Sequence, residues 1–339
     1  MSTARNRWAW SGWKANQGLV GGLLLLIGCS PVGGVKITTV PVDQTLEERV
    51  VYRDPGWVSD RIAIIDISGV LLNAYEQGLF SEGEHPVSFT VEKLHAAESD
   101  NRVKAVVLRI NSPGGSVTAS DVLYEEIKRF KEKTRKPVIA HFQDVGASGA
   151  YYLACAADEI TAERTTVTGS IGVIMQMVDF TGTLGKLGIE TDAIKSGPFK
   201  DAGSPLRKMQ PEERKVFQGL VDGFYRRFVE VVGEGRPKLT PEKILTLADG
   251  RVYTAEQALE AGLVDQITTM EGAIAAAKKR AGLSAALGVV YHRPLAWKST
   301  IYAESPGPAG APTVNLVNIN LPNPWTRYPK FMYIWVVDD

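Results

Sequence analysis

Ser148 lies in the run Val145-Gly146-Ala147-Ser148-Gly149-Ala150-Tyr151-Tyr152, flanked by residues with little or no side chain. A strand-like segment (137–145) precedes it, and a small, apolar, helix-like stretch (150–157) follows. A serine at such a junction is exposed as a nucleophile. The free N–H groups of the helix start favour negative charge developing beside it. The same residues also suit a plain tight turn, so the serine needs supporting groups before it means catalysis.

A second glycine motif offers one. The apolar strand-like run 104–110 leads into Asn111-Ser112-Pro113-Gly114-Gly115-Ser116, and a helical pattern follows over 118–131. Two glycines after a proline can present backbone N–H groups without side-chain obstruction, as an oxyanion hole requires. An ordinary βα turn with a helix cap is the alternative reading.

The base is harder to place. The chain has four histidines. His85 and His95 fall outside both glycine motifs and His292 lies far downstream. His141 precedes Ser148 by seven residues on the expected strand, roughly 20 Å away at about 3.3 Å per residue. A lysine can replace histidine where its surroundings keep it neutral near working pH. Lys200, in Ile194-Lys195-Ser196-Gly197-Pro198-Phe199-Lys200-Asp201-Ala202-Gly203-Ser204-Pro205, is the best candidate: it is expected on a loop after a strand-like segment, with Phe199 to help exclude water. Lys186 and Lys195 are rivals on composition, and a solvated loop lysine is the ordinary case.

Five motifs together carry a family resemblance: Asn111-Ser-Pro-Gly-Gly115, Gly146-Ala-Ser-Gly-Ala-Tyr-Tyr152, Thr168-Gly-Ser-Ile-Gly-Val173, Lys195-Ser-Gly-Pro-Phe-Lys-Asp201, and Asp249-Gly-Arg-Val-Tyr253 with Gly262-Leu-Val-Asp265. In order and spacing they resemble the signal peptide peptidase A family over about residues 61–282. The resemblance implies an α/β chain of the ClpP/crotonase type, built from repeated ββα units in a single catalytic domain. It implies a serine peptidase with Ser148 as nucleophile, Lys200 as general base and Ser170 orienting the lysine amine. Gly114 and Gly115, with the N–H of Gly149, would form the oxyanion hole. Which of the two glycines donates is open, and Ser170 also suits a turn serine bonding its own backbone. No metal or organic cofactor is expected, since the histidines and two cysteines lack metal-ligand spacing and neither glycine motif is a phosphate loop. A crotonase-like acyl-CoA enzyme and a catalytically silent lipoprotein scaffold are the alternatives.

The elements that must hold these residues alternate between strand and helix patterns from about residue 61, as parallel α/β folding requires; Ile62-Ala-Ile-Ile-Asp-Ile67 opens the core. Residues 212–232 read as a long amphipathic helix with Phe217, Leu220, Phe224, Phe228 and Val232 on one stripe. Family members form rings, so that stripe is expected at an interface between copies. Residues 61–288 are expected to be the peptidase domain, 29–60 a spacer, and 289–339 a proline-rich linker with an aromatic tail. The tail is expected to bury against this chain or a neighbour, or to lie near the peptide groove.

The N-terminus carries Arg5, Arg7 and Lys14 before the apolar run 19–27. That run is shorter than the about 20 residues of a spanning helix but fits a signal peptide over residues 1–28. Leu26-Ile27-Gly28-Cys29 resembles a bacterial lipobox, with Cys29 as the lipidated first residue of the mature chain; an uncleaved anchor is the competing reading. The expected setting is the bacterial cell envelope, with the catalytic domain outside the cytoplasm. Expected substrates are hydrophobic extended peptides, such as cleaved signal peptides. The 38 basic and 38 acidic residues balance, so no basic field points to nucleic acid. Cys155 is expected as a buried thiol without a disulfide partner.

Overall fold

Three apolar, largely β-branched runs set the centre of the molecule: Arg61–Ser68, Val103–Ser112 and Val138–Ala147. They are buried on both faces along most of their length, which suits central strands of a parallel sheet. The computed structural model describes residues 46–74, 85–292 and 331–335. In chain order the elements are β1 (Glu47–Arg53), β2 (Arg61–Ser68), α1 (Pro86–Ser99), β3 (Val103–Ser112), β4 (Gly114–Ser116), α2 (Val117–Thr134), β5 (Val138–Ala147), α3 (Gly149–Ala154), β6 (Glu159–Ala162), β7 (Val167–Gly169), α4 (Thr181–Lys186), α5 (Pro211–Gly235), α6 (Pro241–Leu247), β8 (Val252–Thr254), α7 (Ala255–Ala261), β9 (Gln266–Ile267), α8 (Met270–Arg280), β10 (Leu287–His292) and β11 (Met332–Ile334).

The main sheet runs β1-β10-β2-β3-β5-β6-β9. All pairs along that path are parallel except β1 with β10. The alternation of side chains along each strand divides the core in two. Ile62 and Ile64, with Ala105, Val107 and Ile139, meet Met270, Ala273, Ile274 and Ala277 of α8 on one face. Ala63, Ile65 and Ile67 belong to the larger cluster, which includes residues of α1, α2, α3 and α5. The sheet also reaches further towards the N-terminus than the sequence suggests. Residues 47–53, read above within the spacer, form its antiparallel edge strand, where one side lacks a neighbour among the described residues and the charged ends of EERVVYR stay in solvent.

Two elements depart from a compact α/β layer. Helix α5 starts with a proline and a Gln210/Glu213 capping box, and only its C-terminal half enters the core through Phe228, Val231 and Val232. Its N-terminal half leaves Val216 and Leu220 exposed. The stripe expected at an interface is therefore divided between core and surface. The preceding segment, from Ile174 to Leu206, exposes Val178, Phe180, Leu187, Ile189, Ile194 and Phe199 as well. Residues 189–194 form no strand there; their apolar side chains stand in solvent instead of pairing with the sheet.

Among the described residues no helix is long and apolar enough to cross a membrane. Cys29, the lipobox and the proline-rich linker lie outside the described residues.

Candidate active site

The C-terminal ends of β3 and β5 converge on Ser148, because Ser112 pairs with Gly146 and Ala147 with Gly169 of β7. Ser148 itself adopts φ 54°, ψ −116°, a conformation that costs an L-residue about 1–3 kcal/mol and persists only where surroundings enforce it. Two hydrogen bonds do so: Ser148 N–H donates to Gly169 O at 2.7 Å, and Ser148 O accepts from Tyr152 N–H at 2.9 Å, opening α3. The hydroxyl is buried yet has no hydrogen-bond partner among the described residues.

The glycines gather around it. Gly114 has φ 99°, and a β-carbon there would stand 2.1 Å from the Tyr333 carbonyl oxygen and 2.6 Å from Gly149 N. A β-carbon on Gly149 would fall 3.1 Å from Gly115 N. The backbones of all three thus meet at one small space that any side chain would fill. The N–H of Gly114 is already engaged, donating to Ser112 Oγ at 3.1 Å, which leaves Gly115 as the available donor of the pair.

The chain's own C-terminal strand fills that space. β11 lies antiparallel on β4, with Tyr333 opposite Gly115, while Met332 exchanges two 3.0 Å hydrogen bonds with Ile174 on its other side. Phe331 O accepts from Val117 N–H and Trp335 N–H donates to Pro113 O, so odd-numbered residues turn their peptide groups towards β4. The Tyr333 carbonyl therefore faces Gly115 beside Gly149. Its ring stacks on Tyr152 at 5.1 Å, lies 4.6 Å from Phe228, and its hydroxyl donates to Phe224 O at 2.8 Å. Of the two expectations for the aromatic tail, these residues meet both: they are buried against the same chain, and they lie at the serine. Trp325 and Tyr328 fall outside the described residues.

Ser170 follows Gly169, whose carbonyl holds Ser148, and takes φ 49°. Its own N–H donates to Arg251 O at 2.8 Å. It lines a cavity of about 420 Å³ together with Gly172, Ile174, Asp249, Ile334 and Trp335. Ser148, Gly114, Gly115, Gly149 and Ser170 are thus brought together.

Lys200 is not bonded to them. It is exposed on a turn of the outward segment, its N–H donating to Gly197 O, and Phe199 beside it is itself half exposed. Of its rivals, Lys195 pairs with Asp201 and Lys186 ends the exposed helix α4. His141 is committed elsewhere, bonding to Thr161 Oγ1 at 2.9 Å and Glu163 at 3.3 Å; burial, with Arg109 nearby, pushes its pKa down to about 4. Cys155 is a buried free thiol that desolvation raises to about 12. Among the described residues no group of three or more His, Cys, Asp or Glu side chains could hold a metal ion.

Comparison with known proteins bears on what this arrangement is. The model of peptidase family S49 matches residues 130–284, and that of Clp protease matches 63–194. A protein of Enterococcus faecium named "Putative signal peptide peptidase SppA" is 34% identical over 298 residues, covering 86% of this chain and 84% of the relative. The chain belongs to the signal peptide peptidase A family. It is a serine peptidase with a ClpP/crotonase-like fold. This peptidase is also similar to Protease 4 of Salmonella typhi, at 33% identity over 68% of this chain and 36% of the relative. The chloroplastic serine protease SPPA of Arabidopsis thaliana is 35% identical over 66% of this chain and 33% of the relative. The S49 match contains Ser148, Ser170 and Lys200, and the Clp match contains both glycine motifs.

No local pattern marks Ile174 as a strand-binding residue, and the aromatic tail reads as a group without singling out Tyr333. Ile174 does directly follow the Thr168-Gly-Ser-Ile-Gly-Val173 motif, and Tyr333 sits in the only stretch of the tail that reads as alternating aromatic and aliphatic residues.

Proposed function

We propose that this peptidase cleaves hydrophobic, extended peptides with a Ser148–Lys200 dyad. The observation that carries the reading is the occupied groove: a strand of the chain lies between β4 and Ile174, with a carbonyl directed at Gly115 beside a serine of positive φ and free hydroxyl. A substrate peptide would add as a strand in the same way, its main chain supplying affinity and its side chains selectivity. Neutral Lys200 takes the Ser148 proton as Oγ attacks the carbonyl carbon. The N–H groups of Gly115 and Gly149 stabilise the oxyanion, the lysine returns its proton to the leaving amine, and water releases the acyl group by the reverse sequence. Ser170, on the wall of the cavity, orients the lysine amine.

Since the Ser148 hydroxyl is buried without a hydrogen-bond partner among the described residues, Lys200 is exposed, and the lysine segment exposes a row of apolar side chains, we propose that Lys200 enters the site of a neighbouring copy in a closed homo-oligomeric ring. The chain is proposed to be lipidated at Cys29 after removal of residues 1–28, which holds it at the membrane of a bacterial envelope among cleaved signal peptides. Palmitate labelling that persists in Cys29→Ala would contradict the anchor.

Hydrolysis of a fluorogenic hydrophobic peptide tests the dyad. Lys200→Ala and Lys200→Arg should each lose nearly all turnover, arginine because it stays protonated, and wild-type activity should rise with pH as the lysine deprotonates. Substantial turnover by folded Lys200→Ala would remove Lys200 from the mechanism.

A further inference from the structure

Lys200 stands on an otherwise exposed loop, and exposed loops fix a side chain poorly. The residue after it is held unusually firmly. Asp201 accepts from Lys195 Nζ at 2.8 and 3.0 Å, a bond that closes the turn across residues 196–200. Arg207 grips the same carboxylate bidentately, through Nε and Nη2 at 2.7 Å each, and also donates to the Asp201 carbonyl at 3.1 Å. The other edge of Arg207 reaches Glu213, whose carboxylate is 2% exposed and accepts from Gln210 N–H at 3.0 Å in the capping box of α5. The turn carrying Lys200 is therefore stapled at its base and bolted to the first turn of a 25-residue helix rooted in the core. Fork-shaped arginine bonds of this kind fix direction as well as distance.

The charges carry a second message. An unpaired carboxylate next to Lys200 would favour its ammonium and work against a base. Here Lys195 and Arg207 offset Asp201 and Glu213, two cations against two carboxylates. Arg207 holds both Asp201 and Glu213 below the usual carboxylate range, so both carboxylates stay ionised through the neutral range. The other charged groups of the neighbouring segments, Asp179, Lys186, Glu190, Asp192, Lys208, Glu212, Arg214 and Lys215, are solvent-exposed.

We propose that Lys195, Asp201, Arg207 and Glu213 form a charge-neutral clamp that aims Lys200 and keeps it free to act as a base, with Asp201 and Arg207 as positioning residues. The inference rests on Lys200 being the base. It is tested with full-length protein by pH profiles of kcat/KM on a fluorogenic hydrophobic peptide, with active serines counted by a phosphonate reagent. Arg207→Ala leaves an excess negative charge, and the activity-bearing limb should move to higher pH by ~0.5–1 unit; Asp201→Asn leaves an excess positive charge and should move it lower by a similar amount. Both should lose tenfold or more in kcat per active serine. Arg207→Lys, which keeps the charge but not the fork, should lose kcat without moving the limb. A purely structural role would reduce the count of active serines and leave the limb in place. Limbs that stay fixed, or move in the same direction in Arg207→Ala and Asp201→Asn, would overturn the clamp while inactive Lys200→Ala upholds the base. Should Arg207→Ala not fold, Asp201→Asn and Arg207→Lys carry the test alone, a fixed limb in Asp201→Asn counting against the proposal. An active Lys200→Ala would instead overturn the reading beneath it.

Discussion

Ser148 is held by Gly169 and Tyr152 in a conformation few serines adopt, and its hydroxyl is left without a partner in a space closed by glycine backbones. That space tolerates no added carbon. Gly114→Ala would place a β-carbon 2.1 Å from the bound carbonyl oxygen, on a backbone with φ 99° that alanine resists. Turnover should fall by about a hundredfold or more, the scale of losing an oxyanion contact, with the circular dichroism spectrum retained; wild-type kcat in this variant would remove Gly114 from the site. His141 gives a stability prediction instead. Its folded-state pKa of about 4 lies below the ordinary 6.5, so the unfolded chain binds the extra proton between those values. The stabilisation is complete above pH 6.5 and is lost as pH falls towards 4, by about 3 kcal/mol, an order-of-magnitude figure. Denaturant unfolding at pH 7 and pH 4.5 should show that loss, and His141→Gln should flatten it; an equally steep acid loss in His141→Gln would assign it to other groups.

At the scale of elements, β11 is the most consequential feature, because it occupies the groove the reaction needs. Tyr333 is fully buried against Tyr152 and Phe228, and truncating such an aromatic typically costs about 3–5 kcal/mol. Tyr333→Ala should therefore loosen the strand and lower the apparent KM for an added peptide severalfold; an unchanged KM would mean that β11 does not compete with substrate. Such elements differed greatly in how well the sequence announced them. β2 was legible as an apolar run, and β3, β5 and the helices after those two were legible because their apolar runs end at glycine motifs, whose junctions carry Ser148, Gly114 and Gly115. β1 was not, since a single-sided edge strand needs little apolar content, and the strand-like segment expected before Lys200 does not form, because Ile189 and Ile194 stay exposed within one copy. The place of Tyr333 depends on pairing between segments more than two hundred residues apart, which no local pattern encodes.

The whole molecule buries its proposed nucleophile and exposes its proposed base. Ser148 is enclosed, whereas Lys200 rides on a segment with Phe180, Leu187, Ile194 and Phe199 in solvent. A ring in which each lysine serves the next copy accounts for both. The protein should sediment as a closed oligomer, and a strictly monomeric species with full activity would contradict it. Mixed and reassembled, Ser148→Ala and Lys200→Ala subunits should recover activity at about a quarter of sites if pairing is random around the ring. Subunits that exchange yet recover nothing would place both residues in one copy. Sequence motifs pointed to both residues but could not say that one is buried and the other exposed, because the fold of the segment between them, not its composition, sets that.

Whether Ser148 is a nucleophile activated by Lys200 is decided by reaction with a small serine-directed phosphonate, read by intact mass and peptide mapping on the wild type, Ser148→Ala and Lys200→Ala. One adduct per chain is expected on Ser148, none in Ser148→Ala, and labelling slowed by about a hundredfold or more in Lys200→Ala. Labelling of Ser148→Ala at the wild-type rate, or an adduct mapped to another residue, would contradict Ser148 as the nucleophile.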